Sequence, residues 1–149
     1  MRRTLSFNIV ALACALAVAT PVAWAAKCTV STTGLNFGTY DVFSTLNDDI
    51  TATITVNCTN KAPYSIWLSS GSGTFASRTL TKIGSVLAYN LYLDPTHLTI
   101  WGDGTGGTGT FSGTGTGTNV GTTVYGRIPA RQNVAVGSYS DLITVTVTF

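Results

Sequence analysis

From Ile50 to Cys58 the chain alternates. Ile50, Ala52, Ile54, Val56 and Cys58 are apolar, and Thr51, Thr53, Thr55 and Asn57 between them are polar. A period of two built on β-branched residues predicts a strand with one buried face. The same signal recurs at short intervals. "KCTVSTTGLNFGTY" reads as a first strand interrupted near Gly34. "YSIWLSS" follows a turn at Asn60-Lys61-Ala62-Pro63 and puts Tyr64, Ile66 and Leu68 on one face. "RTLTKI" and "VLAYNLYLD" come next, the second with Leu87, Tyr89, Leu91 and Leu93 inward. "TTVYGRIP" is a short strand ended by Pro129. The terminal "SYSDLITVTVTF" sets Ile143, Val145, Val147 and Phe149 against Leu142, Thr144, Thr146 and Thr148.

Many short strands separated by turn signals predict an antiparallel β-sandwich. The last strand poses a question, because no later segment follows to pair with it, and its neighbour is not expected within the chain. Between Gly102 and Gly121 lies the Gly/Thr stretch "GDGTGGTGTFSGTGTGTNVG". Glycine this dense predicts a loop or a weak edge hairpin. It lacks the Lys-Ser/Thr pair of a phosphate loop, and Asp103 is its sole carboxylate, too few for calcium.

The N-terminus changes the domain count. Arg2 and Arg3 precede an apolar run from Leu5 to Ala19, Pro21 breaks it, and Ala23-Trp24-Ala25 supplies a small-x-small cleavage site. Residues 1–25 are thus expected to be a secretory signal peptide, with cleavage after Ala25 and, as the alternative, after Ala26. Cys14 lies inside the run and leaves with it, unlipidated. One domain, 26–149, remains. Without Arg2 and Arg3 its six Lys/Arg balance six Asp, and the chain has no Glu. Such a balance leaves no basic footprint for nucleic acid. The remaining cysteines, Cys28 and Cys58, meet in an oxidising compartment, where they are expected to form one disulfide between the first two strands. It would close a loop of 31 residues, worth about 3–4 kcal/mol in the chain-entropy view. Two cysteines and one histidine, widely scattered, have no metal-ligand spacing.

Candidate chemistry is thin. His97, the sole histidine, follows Asp94 in "DPTHLTIW" and reads as a turn residue. There is no G-x-S-x-G elbow and no Glu pair, so no enzyme, cofactor or small-molecule substrate is expected. Trp101 heads the Gly-rich stretch and either plugs the end of the sandwich or offers a surface contact. Trp67 is out of phase with Ile66 and Leu68, which marks it as a possible outer-face contact.

"CTVSTTGLNFGTYD", "YNLYLD", "WGDGTGG" and "VYGRIPARQNVAVGSYSDLITVTVTF" together resemble the spore coat protein U domain family, which includes subunits of Csu-type (archaic) chaperone–usher pili. The resemblance implies an all-β fold, an incomplete immunoglobulin-like antiparallel β-sandwich that is completed by a donor strand from a partner. It implies a periplasmic chaperone, an outer-membrane usher and neighbouring pilin-like subunits as partners, with passage through the periplasm to the cell surface. It also answers the question of the last strand: the neighbour comes from another protein, by β-strand addition. The acceptor groove would lie between the first strand, at Leu35 and Phe37, and the last, at Ile143, Val145, Val147 and Phe149. Polymerising members carry a donor segment of more than ten residues before the first cysteine. Cleavage after Ala25 leaves Ala26 and Lys27 there, which at about 3.3 Å per residue cannot span a groove. The expectation is a subunit that accepts a strand and does not donate one. The alternative is a self-complete surface- or carbohydrate-binding module, closed by the Gly/Thr stretch folding back.

Overall fold

The alternation around Ile54 becomes an inner strand of a five-stranded sheet. The computed structural model describes residues 26–59 and 61–149; the predicted signal segment and Asn60 of the predicted turn lie outside the described residues. Eight strands follow one another: β1 (Cys28–Thr32), β2 (Asp48–Cys58), β3 (Pro63–Leu68), β4 (Arg78–Lys82), β5 (Ser85–Tyr92), β6 (Phe111–Thr114), β7 (Val120–Ile128) and β8 (Val145–Thr148). They form a five-stranded sheet in the order β1-β2-β7-β5-β4 and a three-stranded sheet in the order β6-β3-β8. Every paired neighbour is antiparallel.

The two sheets bury the faces that alternation marks. Ile54, Val56 and Cys58 of β2, Leu87, Tyr89 and Leu91 of β5, and Val124 and Ile128 of β7 meet Tyr64, Ile66 and Leu68 of β3. Burying each such side chain stabilises by about 1.5–3 kcal/mol. Cys28 and Cys58 are directly opposite in the β1–β2 ladder, and their disulfide joins these strands as the spacing predicts.

The core also holds a charge that no apolar pattern announces. Arg78 is fully buried at the start of β4. Its guanidinium donates to Ser69 O (Nε 3.1 Å, Nη2 2.8 Å), Asn90 Oδ1 (2.6 Å) and Trp101 O (2.7 Å). Burial lowers its pKa below the ordinary arginine value, yet carbonyl dipoles on three sides replace the lost water.

Two expectations about strand ends need correction. The terminal strand does have a neighbour within the chain: β8 pairs with β3 from Leu68↔Val145 to Ser65↔Thr148. It is also shorter than its alternation, because the chain leading into it bridges β4 at Thr81↔Ser140 before reaching β3. Leu35 and Phe37, in turn, do not belong to the first strand. Gly34 adopts φ +72°, a left-handed conformation, and there the chain leaves β1 and crosses the gap between the sheets.

Candidate functional site: an open groove between β1 and β8

β8 is the edge of its sheet, and so is β1. Ser69 N donates to Thr144 O at 3.0 Å. Because backbone groups alternate sides along an antiparallel ladder, Thr144, Thr146 and Thr148 bond towards β3. The N–H and C=O groups of Ile143, Val145 and Val147 then face away from β3. On the opposite sheet, Lys27 O accepts from Thr59 N at 3.0 Å and Thr53 O accepts from Thr33 N at 3.1 Å. By the same alternation Cys28, Val30 and Thr32 turn their backbone groups to the open side. Among the described residues, two unpaired strand edges thus border one gap.

The gap is apolar and continuous. A cavity of about 300 Å³ has Leu35 and Phe37 on one wall, Ile143 and Val145 on the other, and Ile54, Leu91 and Val124 as its floor. A second, of about 740 Å³, runs on between residues 35–43 and residues 134–141, over Leu80, Leu87 and Ile128. Leu35, Phe37, Leu80 and Asp141 line both. Gly126 of β7 keeps the floor low: a Cβ there would lie 3.0 Å from Phe37 Cζ and 3.1 Å from Leu35 Cδ2.

One polar clip holds the β8 wall in place. Asp141 Oδ2 accepts from the Tyr89 hydroxyl at 2.7 Å, and Oδ1 accepts from Ser72 N (2.9 Å) and Ser72 Oγ (2.8 Å). Burial pushes the Tyr89 phenol far above its ordinary pKa, and the bond to Asp141 adds to the shift. Tyr89 therefore stays a neutral donor.

Against this geometry stand the comparisons with known proteins. The Spore Coat Protein U domain family matches residues 13–146. The chain belongs to the Spore Coat Protein U domain family. Protein U of Myxococcus xanthus is 39% identical over 129 residues, spanning 77% of this chain and 71% of that protein. Among solved structures, the chain is similar to one in the CsuC–CsuE chaperone–tip adhesion subunit pre-assembly complex from archaic chaperone–usher Csu pili of Acinetobacter baumannii. The TM-score is 0.63 at 20% identity, over 84% of this chain and 40% of that chain. The likeness establishes the fold, an immunoglobulin-like antiparallel β-sandwich, while this chain spans two-fifths of the neighbour's length.

Within this spore coat protein U domain, Leu35, Phe37, Ile143 and Val145 line one cavity together. Val147 packs on the core beyond the two cavities, and Phe149 is largely exposed past the end of β8. Trp67 lies half-buried on the outer face of its sheet, opposite Thr146. Trp101 is not a surface contact: it is fully buried, its indole N–H donating to Ile66 O at 3.0 Å, and it fills the sandwich interior. The Gly/Thr stretch supplies β6, which pairs with β3 on the edge away from β8 and so does not close the groove. His97 is a turn residue with φ +58°, its ring edge-on to Tyr92 at 5.0 Å between centroids. Tyr89, Asp141, Val134 and Tyr139 are groove residues that sequence reasoning missed. The last three belong to an irregular crossing segment, where no periodicity marks which side chains turn inward.

Proposed function

We propose that this chain is an exported structural subunit of a surface fibre or spore-coat-like layer, and that a partner's β-strand completes it. The single observation that carries this reading is the continuous apolar groove between two unpaired strand edges. An open edge with an apolar face is an aggregation hazard unless something covers it, and an added strand satisfies both the backbone groups and the apolar walls. The structural neighbour is a tip adhesion subunit in a pre-assembly complex with a chaperone, which supports a periplasmic chaperone as the first occupant here. A neighbouring subunit would follow, with an outer-membrane usher as the assembly site.

With cleavage after Ala25, Ala26 and Lys27 alone precede Cys28, and the subunit is an acceptor. N-terminal sequencing of the exported protein tests that part; retention of residues 15–26 would restore a candidate donor strand and overturn it. The central reading is tested by co-expression with a periplasmic pilus chaperone. A stoichiometric complex that protects an otherwise aggregating subunit supports it. A purified protein that is monomeric and stable without any partner sinks it in favour of a self-complete binding module.

A further inference from the structure

We propose that the end of the sandwich carrying Phe43, Ile83 and Val136 seats the folded body of the strand-donating partner. The inference deepens the donor-strand reading and rests on it. The groove has two ends that the register distinguishes. At one lie the disulfide, the end of β2 and the end of β8, since Thr148 pairs with Ser65 near the start of β3. At the other lie the start of β2, the end of β7 and the β4–β5 turn, because Asp48 pairs with Ile128 and Lys82 with Ser85.

The two ends differ in chemistry. At the turn end Ile83 is 99% exposed, Val136 97%, Phe43 88% and Leu46 76%. At the disulfide end the exposed positions include Lys27, Thr59, Lys61, Thr116 and Asn119, with Phe149 and the less exposed Val30 as large apolar exceptions. The apolar ridge is also anchored. Lys82 Nζ donates to Val136 O, and the Tyr139 hydroxyl donates to Ser85 Oγ at 2.7 Å. Side chains this exposed, on a fixed ridge, gain nothing within the chain, and such a patch marks a contact with another molecule.

Continuity selects the occupant. Phe43 and Val136 line the same 740 Å³ cavity that continues the groove past Leu35 and Phe37. A strand filling the groove remains tethered to its own domain, which must emerge at one end or the other. The apolar end buries surface against that domain, whereas the polar end offers it hydrated groups. The donor strand therefore joins its body beside Phe43, Ile83 and Val136.

The test uses the complete exported protein and two probes. One is a subunit of the same family, from the same genome, that carries an N-terminal extension; the other is a synthetic peptide of that extension alone. The variant combines Leu46→Ser and Ile83→Ser, two exposed positions at that end that line neither cavity, and its unfolding temperature checks that the fold is intact. It is expected to bind the whole subunit at least about tenfold more weakly, the scale of one buried apolar side chain. The peptide should bind wild type and variant alike. Unchanged affinity for the whole subunit overturns the proposal, as does an equal loss for the peptide, which would assign the two residues to the groove itself. Failure of both probes on the wild type removes the donor-strand reading and this inference together.

Discussion

The side-chain amide of Gln132 takes up both backbone polar groups of Ala88. Ala88 N donates to Gln132 Oε1 and Gln132 Nε2 donates to Ala88 O, each at 2.8 Å. The β5–β7 register, Asn90↔Arg127, would bring Pro129 opposite Ala88, but proline has no N–H to give. Gln132 supplies the missing ladder rung from a side chain. Its own N–H donates to the Tyr40 hydroxyl at 2.8 Å, which donates to Pro129 O at 2.8 Å. Gln132→Leu leaves two backbone groups unpaired and is expected to destabilise by about 1–3 kcal/mol. Denaturant unfolding of wild type and variant measures it, and a change below about 0.5 kcal/mol would mean that water takes over both bonds.

The disulfide between Cys28 and Cys58 secures β1 as an edge strand. Intact mass after alkylation without reductant should show neither thiol modified in the exported protein. Replacing both by Ala should lower stability by about 3–4 kcal/mol, read from the shift in denaturant midpoint. An unchanged midpoint would show that β1 is held by its ladder alone.

Adjacent positions on the last strand separate the groove from the opposite face. Val145 lines the cavity; Thr146 bonds towards β3 and does not line it. Val145→Asp introduces an unpaired charge where the proposed partner strand would pack and is expected to abolish chaperone co-purification. Thr146→Asp should leave most of it. Equal losses from the two would rule out this strand as a groove wall.

Acid should act through a small set of carboxylates. Asp49 is held below its ordinary value of 3.8, first by its hydrogen bonds to Arg127 and then by that residue's charge. Asp94 is lowered by the Thr96 hydroxyl and by backbone N–H groups of Thr99, Leu98 and Thr96. Groups depressed in the folded state contribute stability that is fully present above the unfolded value and lost as pH falls through the folded one. Asp48 opposes them, raised by burial and then by Asp49. The unfolding temperature is therefore expected to hold from about pH 7 to about 5 and to fall below about 4. Asp94→Asn should flatten that acid limb; a limb of unchanged slope would assign the loss to other carboxylates.

Alternation made β2, β3, β5 and β7 readable, because each has one face on the core and one towards solvent. The apolar side of β8 was readable for the same reason, and the disulfide because Cys28 and Cys58 are the two cysteines left in the exported chain. What alternation cannot encode is the partner of an edge. Val145 reads the same whether β3, another protein or nothing lies beside it, and the pairing with β3 emerged only from the register. Trp101 was ambiguous because its neighbours are glycines, which carry no periodicity. Arg78 was invisible as a core residue, since its partners at Ser69 and Trp101 are backbone carbonyls that any residue could offer. The Val134–Asp141 wall was missed because an irregular segment turns its side chains inward by tertiary contact alone.

Arg78 has one more consequence, for how the hairpin finds its register. Sliding β4 past β5 by one residue would carry the guanidinium to the solvent face, since successive side chains point to opposite sides. The carbonyls of Ser69 and Trp101 would then be stranded without a donor, and Asn90 Oδ1 would keep only the Leu91 N–H. The fork also accepts no understudy, because a lysine ammonium cannot span three acceptors held in its plane. The buried cation thus works as a proofreader: only the correctly aligned hairpin can hide it.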